Sequence, residues 1–286
     1  HATLAATHRQ LTESIRYASL IQKVILPDRL LSEHLHGRYF VVWQSRDVVG
    51  GDFYLYREGR EGCLFGVVDC AGHGVPGAFM TMIAHAALER ATLEHGWDDP
   101  AALLERVDAS VRAMLPDTDR LERLATSMDI GLCFVERAAR KVHFAGAQID
   151  LFVSENGEVG NIRGDRGRVN DRKPRGFTRQ SLDVGPDSVF YLVTDGILDQ
   201  SGGEGAADQP HRPRLGKAHT RHEDRGAQAG AGSLWFRCGL RRGPARRGKV
   251  AREGTGVQLP QSAPPVGSAQ PASGIVEPVQ RLHPQR

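Results

Sequence analysis

Val67-Val68-Asp69-Cys70-Ala71-Gly72-His73-Gly74 joins an apolar run to a carboxylate and then to small residues that turn the backbone before a helix. Two other stretches answer it: Val48-Val49-Gly50-Gly51-Asp52 upstream and Leu192-Val193-Thr194-Asp195-Gly196 downstream. Each puts an aspartate beside glycine, at or just past a β-type apolar run (residues 40–43, 64–68 and 189–193). Strand ends of this kind can present carboxylates to one point, and the chain is expected to gather three of them there.

Working outward, residues 2–25 have Leu4, Leu11, Ala18 and Ile25 at heptad spacing, with Ile15 and Ile21 widening the stripe and Pro27 ending it. This helix is either an amphipathic helix packed on its own domain or a coiled-coil linker that dimerises the chain; about three heptads do not separate the two. Residues 38–56 are rich in aromatic and β-branched side chains around Gly50-Gly51, which predicts strand, tight turn, strand. A further strand over 63–68 precedes a helix over 74–95, whose expected apolar face is Phe79, Ile83, Ala86, Ala87 and Leu93. Asp99 is a good N-cap, Pro100 suits the first turn, and Leu103, Leu104, Val107 and Val111 give a second helix. Strands follow over 129–135, 142–147 and 150–154, with a hairpin at Glu155-Asn156-Gly157 and a last strand over 189–193. The polar, basic, glycine-containing stretch 161–180 reads as a mobile loop or flap.

The 286 residues, 40% of them hydrophobic, suffice for one or two domains with a sizeable core. Charge is unevenly spread: residues 204–286 carry 14 Lys+Arg against 6 Asp+Glu, the other 203 carry 23 against 28. The tail also holds 9 of the 15 prolines and 12 of the 33 glycines, and its apolar residues follow neither strand nor helix period. It is expected to be disordered, because it buries too little apolar surface to offset chain entropy. Out-of-frame translation of GC-rich codons is an alternative origin for such a composition. Its arginines lack interleaved aromatics, so nucleic acid is not the expected partner. The expected division is therefore a linker or dimerisation helix over 1–27, a catalytic-type domain over 28–203 and a basic tail over 204–286.

Four cysteines, Cys63, Cys70, Cys133 and Cys238, form no CxxC pair, which argues against a zinc site or a disulfide framework and fits the cytoplasm. No run of 18 apolar residues and no signal-peptide pattern occurs. The chain opens on His1 and reads as a fragment whose preceding part would hold any membrane span.

Hard oxygen ligands on turns favour Mg2+ or Mn2+ over softer metals. Two such ions about 3.5 to 4 Å apart can aim a hydroxide at phosphorus while absorbing charge on the phosphoryl oxygens. Glycines beside the ligands let the backbone approach closely.

In this order the motifs resemble the SpoIIE branch of the PP2C-type (PPM) serine/threonine phosphatases: Val49-Gly50-Gly51-Asp52-Phe53-Tyr54, then residues 68–78 from Val68-Asp69 to Gly77-Ala78, then Tyr191-Leu192-Val193-Thr194-Asp195-Gly196. Within the branch the resemblance is to SiaA-type sensor phosphatases, whose catalytic part follows a membrane-anchored sensor. It extends over about residues 15–204. It implies an α+β fold, a four-layer αββα sandwich, here incomplete at its C-terminal end. It also implies two Mn2+ or Mg2+ ions held by Asp52, Asp69, the carbonyl of Cys70 and Asp195, with Asp69 bridging. Asp52, Asp69 and His73 are the implied catalytic residues; His73 either donates a proton to the leaving serine oxygen or hydrogen-bonds within its turn.

Asp129 either reaches a metal-bound water or is an exposed strand-end carboxylate, the latter being expected. Gln148 stands where the family places His or Asn, which leaves the role of that position open. The family ends its domain with a paired Asp-Asp before a strand, one Asp being a metal ligand. After Gly203 the only adjacent acidic pair is Glu223-Asp224, so that ligand and its strand are absent from the sequence. The implied activity is metal-dependent hydrolysis of phosphoserine or phosphothreonine on a STAS-like, anti-sigma-antagonist-type regulatory protein. The alternative is a catalytically impaired module that binds the same phosphorylated partner.

Overall fold

The computed structural model describes residues 2–36, 38–115, 126–155, 158–173, 175–197, 233–239 and 249–252. In chain order the elements are α1 (Ala2–Val24), α2 (Asp28–Leu35), β1 (Tyr39–Gln44), β2 (Asp52–Glu58), β3 (Gly62–Cys70), α3 (Gly74–His95), α4 (Pro100–Met114), β4 (Met128–Glu136), β5 (Lys141–Ala147), β6 (Leu151–Glu155), β7 (Glu158–Ile162), β8 (Gln180–Asp183), β9 (Val189–Val193), a 3-10 turn (Asp195–Ile197), β10 (Ser233–Gly239) and β11 (Lys249–Arg252).

Two sheets form, one ordered β2-β3-β4-β5-β8 and the other β11-β1-β10-β9-β6-β7. Every pairing is antiparallel except β1 with β11. The central strands β3 and β4 are buried along almost their whole length, which suits their near-continuous apolar sequences. The sheets meet through contacts such as Phe65 with Phe190, ring centroids 6.3 Å apart. Helices α3 and α4 cover the five-stranded sheet. Helix, sheet and sheet of the expected αββα arrangement are thus present; a second helical layer would fall outside the described residues.

Local chemistry explains the helix boundaries. Asp99 accepts hydrogen bonds from the amides of Ala101 (3.0 Å) and Ala102 (3.2 Å), and Pro100 follows it at the first helical position. Gly96 closes α3 with φ +79° and donates its amide to the Thr92 carbonyl at 3.1 Å. The face that α3 buries is rotated from the expected one: Met80, Ala84, Ala87, Leu88 and Ala91 are inside, whereas Phe79 and Leu93 are exposed. Small residues at 77, 84, 87 and 91 let the helix lie close on the sheet, and a face carrying Phe79 would hold it off.

Two expectations about chain segments are corrected by the structure. First, the segment read as too poor in apolar pattern to fold contributes β10 and β11 to the six-stranded sheet. Ser233-Leu234-Trp235-Phe236-Arg237-Cys238-Gly239 pairs with β1 on one side and β9 on the other, supplying partners to backbone groups that would otherwise lack them. The rest of residues 204–286 lies outside the described residues. Second, the stretch 161–180 is not a free flap. Val169 exchanges both backbone hydrogen bonds with Met128 (3.0 and 3.1 Å), Asp165 bonds to Gly146 and Gln148 (2.7 and 2.8 Å), and Asn170 is held by Asp108 and Thr126. Helix α1 ends within a residue of the expected end; Leu4 and Leu11 on it are exposed, and the face it buries carries Ser19 and Gln22.

Candidate metal centre

Strand register assembles the site. β2 pairs with β3 so that Asp52 stands opposite Asp69, and β3 pairs with β4 so that Asp69 stands opposite Asp129. Three carboxylates therefore form a row across adjacent strands, at the edge where directly opposed side chains have Cβ atoms about 4.5 to 5.5 Å apart. Asp195 comes from the other sheet, in the turn directly after β9, and its charge bears on all three. Exposure grades across the row: Asp52 and Asp129 are buried, Asp69 is half-buried and Asp195 is exposed.

The backbone around the row is tightly packed. A Cβ at Gly51 would lie 2.5 Å from the Cys70 carbonyl oxygen, and one at Gly77 would lie 2.6 Å from that of Gly72. Gly72 itself has φ +94°, a conformation that L side chains rarely adopt. The Cys70 amide donates to Gly51 O (3.2 Å) and the Ala71 amide to Ser127 O (2.9 Å), tying three strand ends together. The indole Nε1 of buried Trp43, on the opposite sheet, donates to the Asp52 carbonyl at 2.8 Å.

Like charges so placed oppose ionisation. Burial chiefly raises the Asp52 carboxyl, and Asp195 adds to the rise, while hydrogen bonds from Asp69 and Thr194 work against it. Burial likewise raises Asp69, helped by the charges of Asp52 and Asp195. Asp129 is pushed up to about 6, mainly by burial and despite the Arg168 guanidinium, whose Nη2 lies 3.2 Å from Asp129 Oδ2. Such a row wants either protons or cations.

The sequence-derived residues fare differently. Asp52, Asp69 and Asp195 converge, as expected. Cys70 ends β3 beside them; burial and the neighbouring carboxylates raise its thiol well above the ordinary range, so the sulfur is a neutral thiol and its carbonyl is the donor of interest. His73 is the residue preceding α3, exposed, with Nδ1 2.8 Å from Asp47 Oδ2, and hydrogen-bonds to none of the four carboxylates. Asp129 is a correction: expected at an exposed strand end, it is 8% exposed because β4 is central and the Val169 segment covers its start. Gln148 is exposed with φ +64°, and its side chain donates to the Arg166 carbonyl, so it shapes the turn that leads the chain past the site. Arg168 went unnoticed in the sequence, since nothing in its spacing links it to Asp129.

Among the described residues no trio of acidic, histidine or cysteine side chains is drawn in tightly enough to grip an ion as it stands. The row nonetheless fits hard divalent cations in donor chemistry: carboxylate oxygens, a nearby main-chain carbonyl, glycines leaving the backbone approachable, and Asp129 Oδ1, which is buried and accepts no hydrogen bond among the described residues. Cations would relieve the repulsion that now raises these carboxyls.

The family model described as Stage II sporulation protein E (SpoIIE) matches residues 59–237. Among solved structures, the SiaA-PP2C domain of Pseudomonas aeruginosa is 42% identical with TM-score 0.68, the match covering 82% of this chain and 99% of that one. The PP2C phosphatase domain with a fragment of the regulatory domain of SpoIIE from Bacillus subtilis is 14% identical with TM-score 0.56, covering 71% of this chain and 61% of that one. The RsbU and RsbW domains of Rv1364c from Mycobacterium tuberculosis share the fold at 16% identity and TM-score 0.53, covering 72% and 62%. Among curated proteins no sequence matches. With carboxylates gathered at one edge of two facing, largely antiparallel sheets, and with a family match over more than half its length, the chain belongs to the SpoIIE family of PP2C-type protein phosphatases.

Proposed function

We propose that this chain is a metal-dependent phosphoprotein phosphatase that removes phosphate from serine or threonine of a regulatory partner protein. The observation that carries the reading is the register of β2 on β3, which sets Asp52 against Asp69. Asp52, Asp69, Asp195 and the carbonyl of Cys70 are the residues to hold two Mn2+ or Mg2+ ions, with Asp69, flanked by carboxylates on both sides, as the shared ligand. Bound cations would supply a nucleophilic water at neutral pH and offset charge on the phosphoryl oxygens. The bond from water oxygen to phosphorus forms as the bond to the serine or threonine oxygen breaks, and that oxygen takes up a proton. Asp47 holds Nδ1 of His73, which leaves Nε2 to deliver this proton. Trp43 and Thr194 steady Asp52 from the other sheet, Thr194 Oγ1 lying 3.4 Å from its Oδ2.

The exposed flank of the row, at Asp195, suits a phosphate carried on a folded protein. A STAS-like, anti-sigma-antagonist-type phosphoprotein in the cytoplasm is the partner proposed. Leu4 and Leu11, at heptad spacing on α1, are both exposed, which supports self-association through that helix. Among the described residues no helix is long and apolar enough to cross a membrane.

Phosphate release from a phosphorylated STAS-like protein, measured with Mn2+ and with EDTA, tests the reading. Release that requires Mn2+ and disappears in Asp69→Ala is expected. Release unchanged in EDTA removes it, and binding of the phosphoprotein without release replaces it by a non-catalytic interaction module.

A further inference from the structure

Asp129 lies in a different sequence neighbourhood from the paired glycine-aspartate motifs, yet the fold gives it the same relation to Asp69 that Asp52 has, on the opposite side. Its two oxygens are in unlike situations. Oδ2 is held by Arg168 at 3.2 Å. Oδ1 is buried and has no hydrogen-bond partner among the described residues, although the residue is only 8% exposed. A buried carboxylate oxygen left in this state is costly unless something else completes it.

The segment carrying Arg168 is fastened at the same level. Val169 and Met128 exchange backbone hydrogen bonds, so the residue before Val169 and the residue after Met128 stand beside each other. Asn170 extends the fastening to α4 through the Asp108 side chain, which accepts from the Asn170 amide at 2.6 Å and pairs with Arg112 at 2.7 Å. Arg168 is thus delivered to Asp129 by an anchored stretch of chain. Clamping Oδ2 from outside leaves Oδ1 as the oxygen that can face the row.

Resting on the cation reading given above, we infer that Asp129 is a further cation-holding residue of this centre: Oδ1 donates to a divalent ion shared with Asp69, while Arg168 acts as the positioning residue that fixes the carboxylate by its other oxygen. The sequence spacing of the glycine-aspartate motifs gives no hint of this ligand, because it enters from the start of a strand that has no glycine beside the aspartate.

Mn2+ titration calorimetry on Asp129→Asn, Asp52→Asn and Arg168→Gln, with thermal unfolding of each protein in EDTA and in Mn2+, tests it without relying on turnover. Asp129→Asn is expected to weaken Mn2+ binding by about tenfold or more, to unfold at a higher temperature than the unsubstituted protein in EDTA because one of the opposed charges is gone, and to gain less from added Mn2+. Arg168→Gln is expected to weaken binding by a smaller factor while keeping the full number of ions. Unchanged Mn2+ affinity in Asp129→Asn, together with lost affinity in Asp52→Asn, overturns this inference and leaves the phosphatase reading standing. Unchanged affinity in both variants overturns both. Should Asp129→Asn fail to unfold cooperatively, Asp129→Ser decides by the same titration.

Discussion

Gln22, near the end of α1, holds both backbone groups of Gly50: its Nε2 donates to the Gly50 carbonyl at 2.6 Å and its Oε1 accepts from the Gly50 amide at 3.2 Å. The same Nε2 lies 3.0 Å from Thr81 Oγ1 on α3, and that hydroxyl donates to Gly50 O and Gly77 O. The N-terminal helix therefore grips the turn that delivers Asp52. Gln22 is 1% exposed, so a leucine in its place leaves Gly50 without these partners in a dry setting. Gln22→Leu is expected to cost about 1 to 3 kcal/mol in urea unfolding and to weaken Mn2+ binding through the loosened Gly50-Gly51-Asp52 turn. Equal Mn2+ affinity in the two proteins would show that the grip serves stability alone.

Stability should fall as pH rises in the absence of divalent ions. Asp129 is pushed from 3.8 to about 6, chiefly by burial, with Arg168 opposing and Asp195 adding. A folded-state value above the unfolded one means that the proton's contribution is complete below about pH 4 and is lost as pH passes through about 6. Asp52, raised chiefly by burial with the Asp195 charge adding, and Asp69, raised by burial and by the charges of Asp52 and Asp195, act in the same direction at higher pH. Melting temperature measured in EDTA is expected to drop between pH 5 and pH 7.5, and saturating Mn2+ to abolish most of the drop. A flat profile in EDTA would contradict the opposed-carboxylate account.

Asp99→Ala removes the cap of α4 and is expected to cost about 1 kcal/mol. The Asp99 carboxyl also pairs with Arg179, whose Nη1 lies 3.1 Å away. Burial works to raise it, but the amides of Ala102 and Ala101 together with Arg179 prevail, and its value lies below the ordinary one. A depressed value places this contribution above about pH 4, lost on further acidification. Denaturant midpoints at pH 7 and pH 3 check it: the gap between Asp99→Ala and the unsubstituted protein should shrink at the lower pH.

Leu11, 60% exposed on α1, has its heptad mate Leu4 exposed beside it. Leu11→Asp is expected to shift the protein toward monomer in sedimentation velocity while leaving the unfolding midpoint of the domain within about 0.5 kcal/mol, as for a surface change. A sedimentation coefficient that is independent of both concentration and this substitution would exclude self-association through α1.

Much of the fold was legible because its signals are local. Pro27 and Gly96 stop helices, Asp99 starts one, and the apolar runs ending in Asp69 and Asp195 are strands within a residue or two of where the pattern puts them. β8 was not legible, because Gln180-Ser181-Leu182-Asp183 is a short polar edge strand whose order comes from pairing with β5. The buried face of α3 is not given by periodicity, which does not weigh how closely a stripe of alanines can approach a sheet.

The sequence by itself determined most of the helices and apolar strands before residue 194, the acidic strand ends and the glycines that admit them, since these depend on residues a few positions apart. Only the tertiary structure decided that Asp129 joins the row, that Arg168 clamps it, and that Ser233–Gly239 lies between β1 and β9. Those relations arise from strand register between segments up to about 200 residues apart, as with Val42 and Trp235, and side-chain period sets which face a residue takes but not which strand lies next to it.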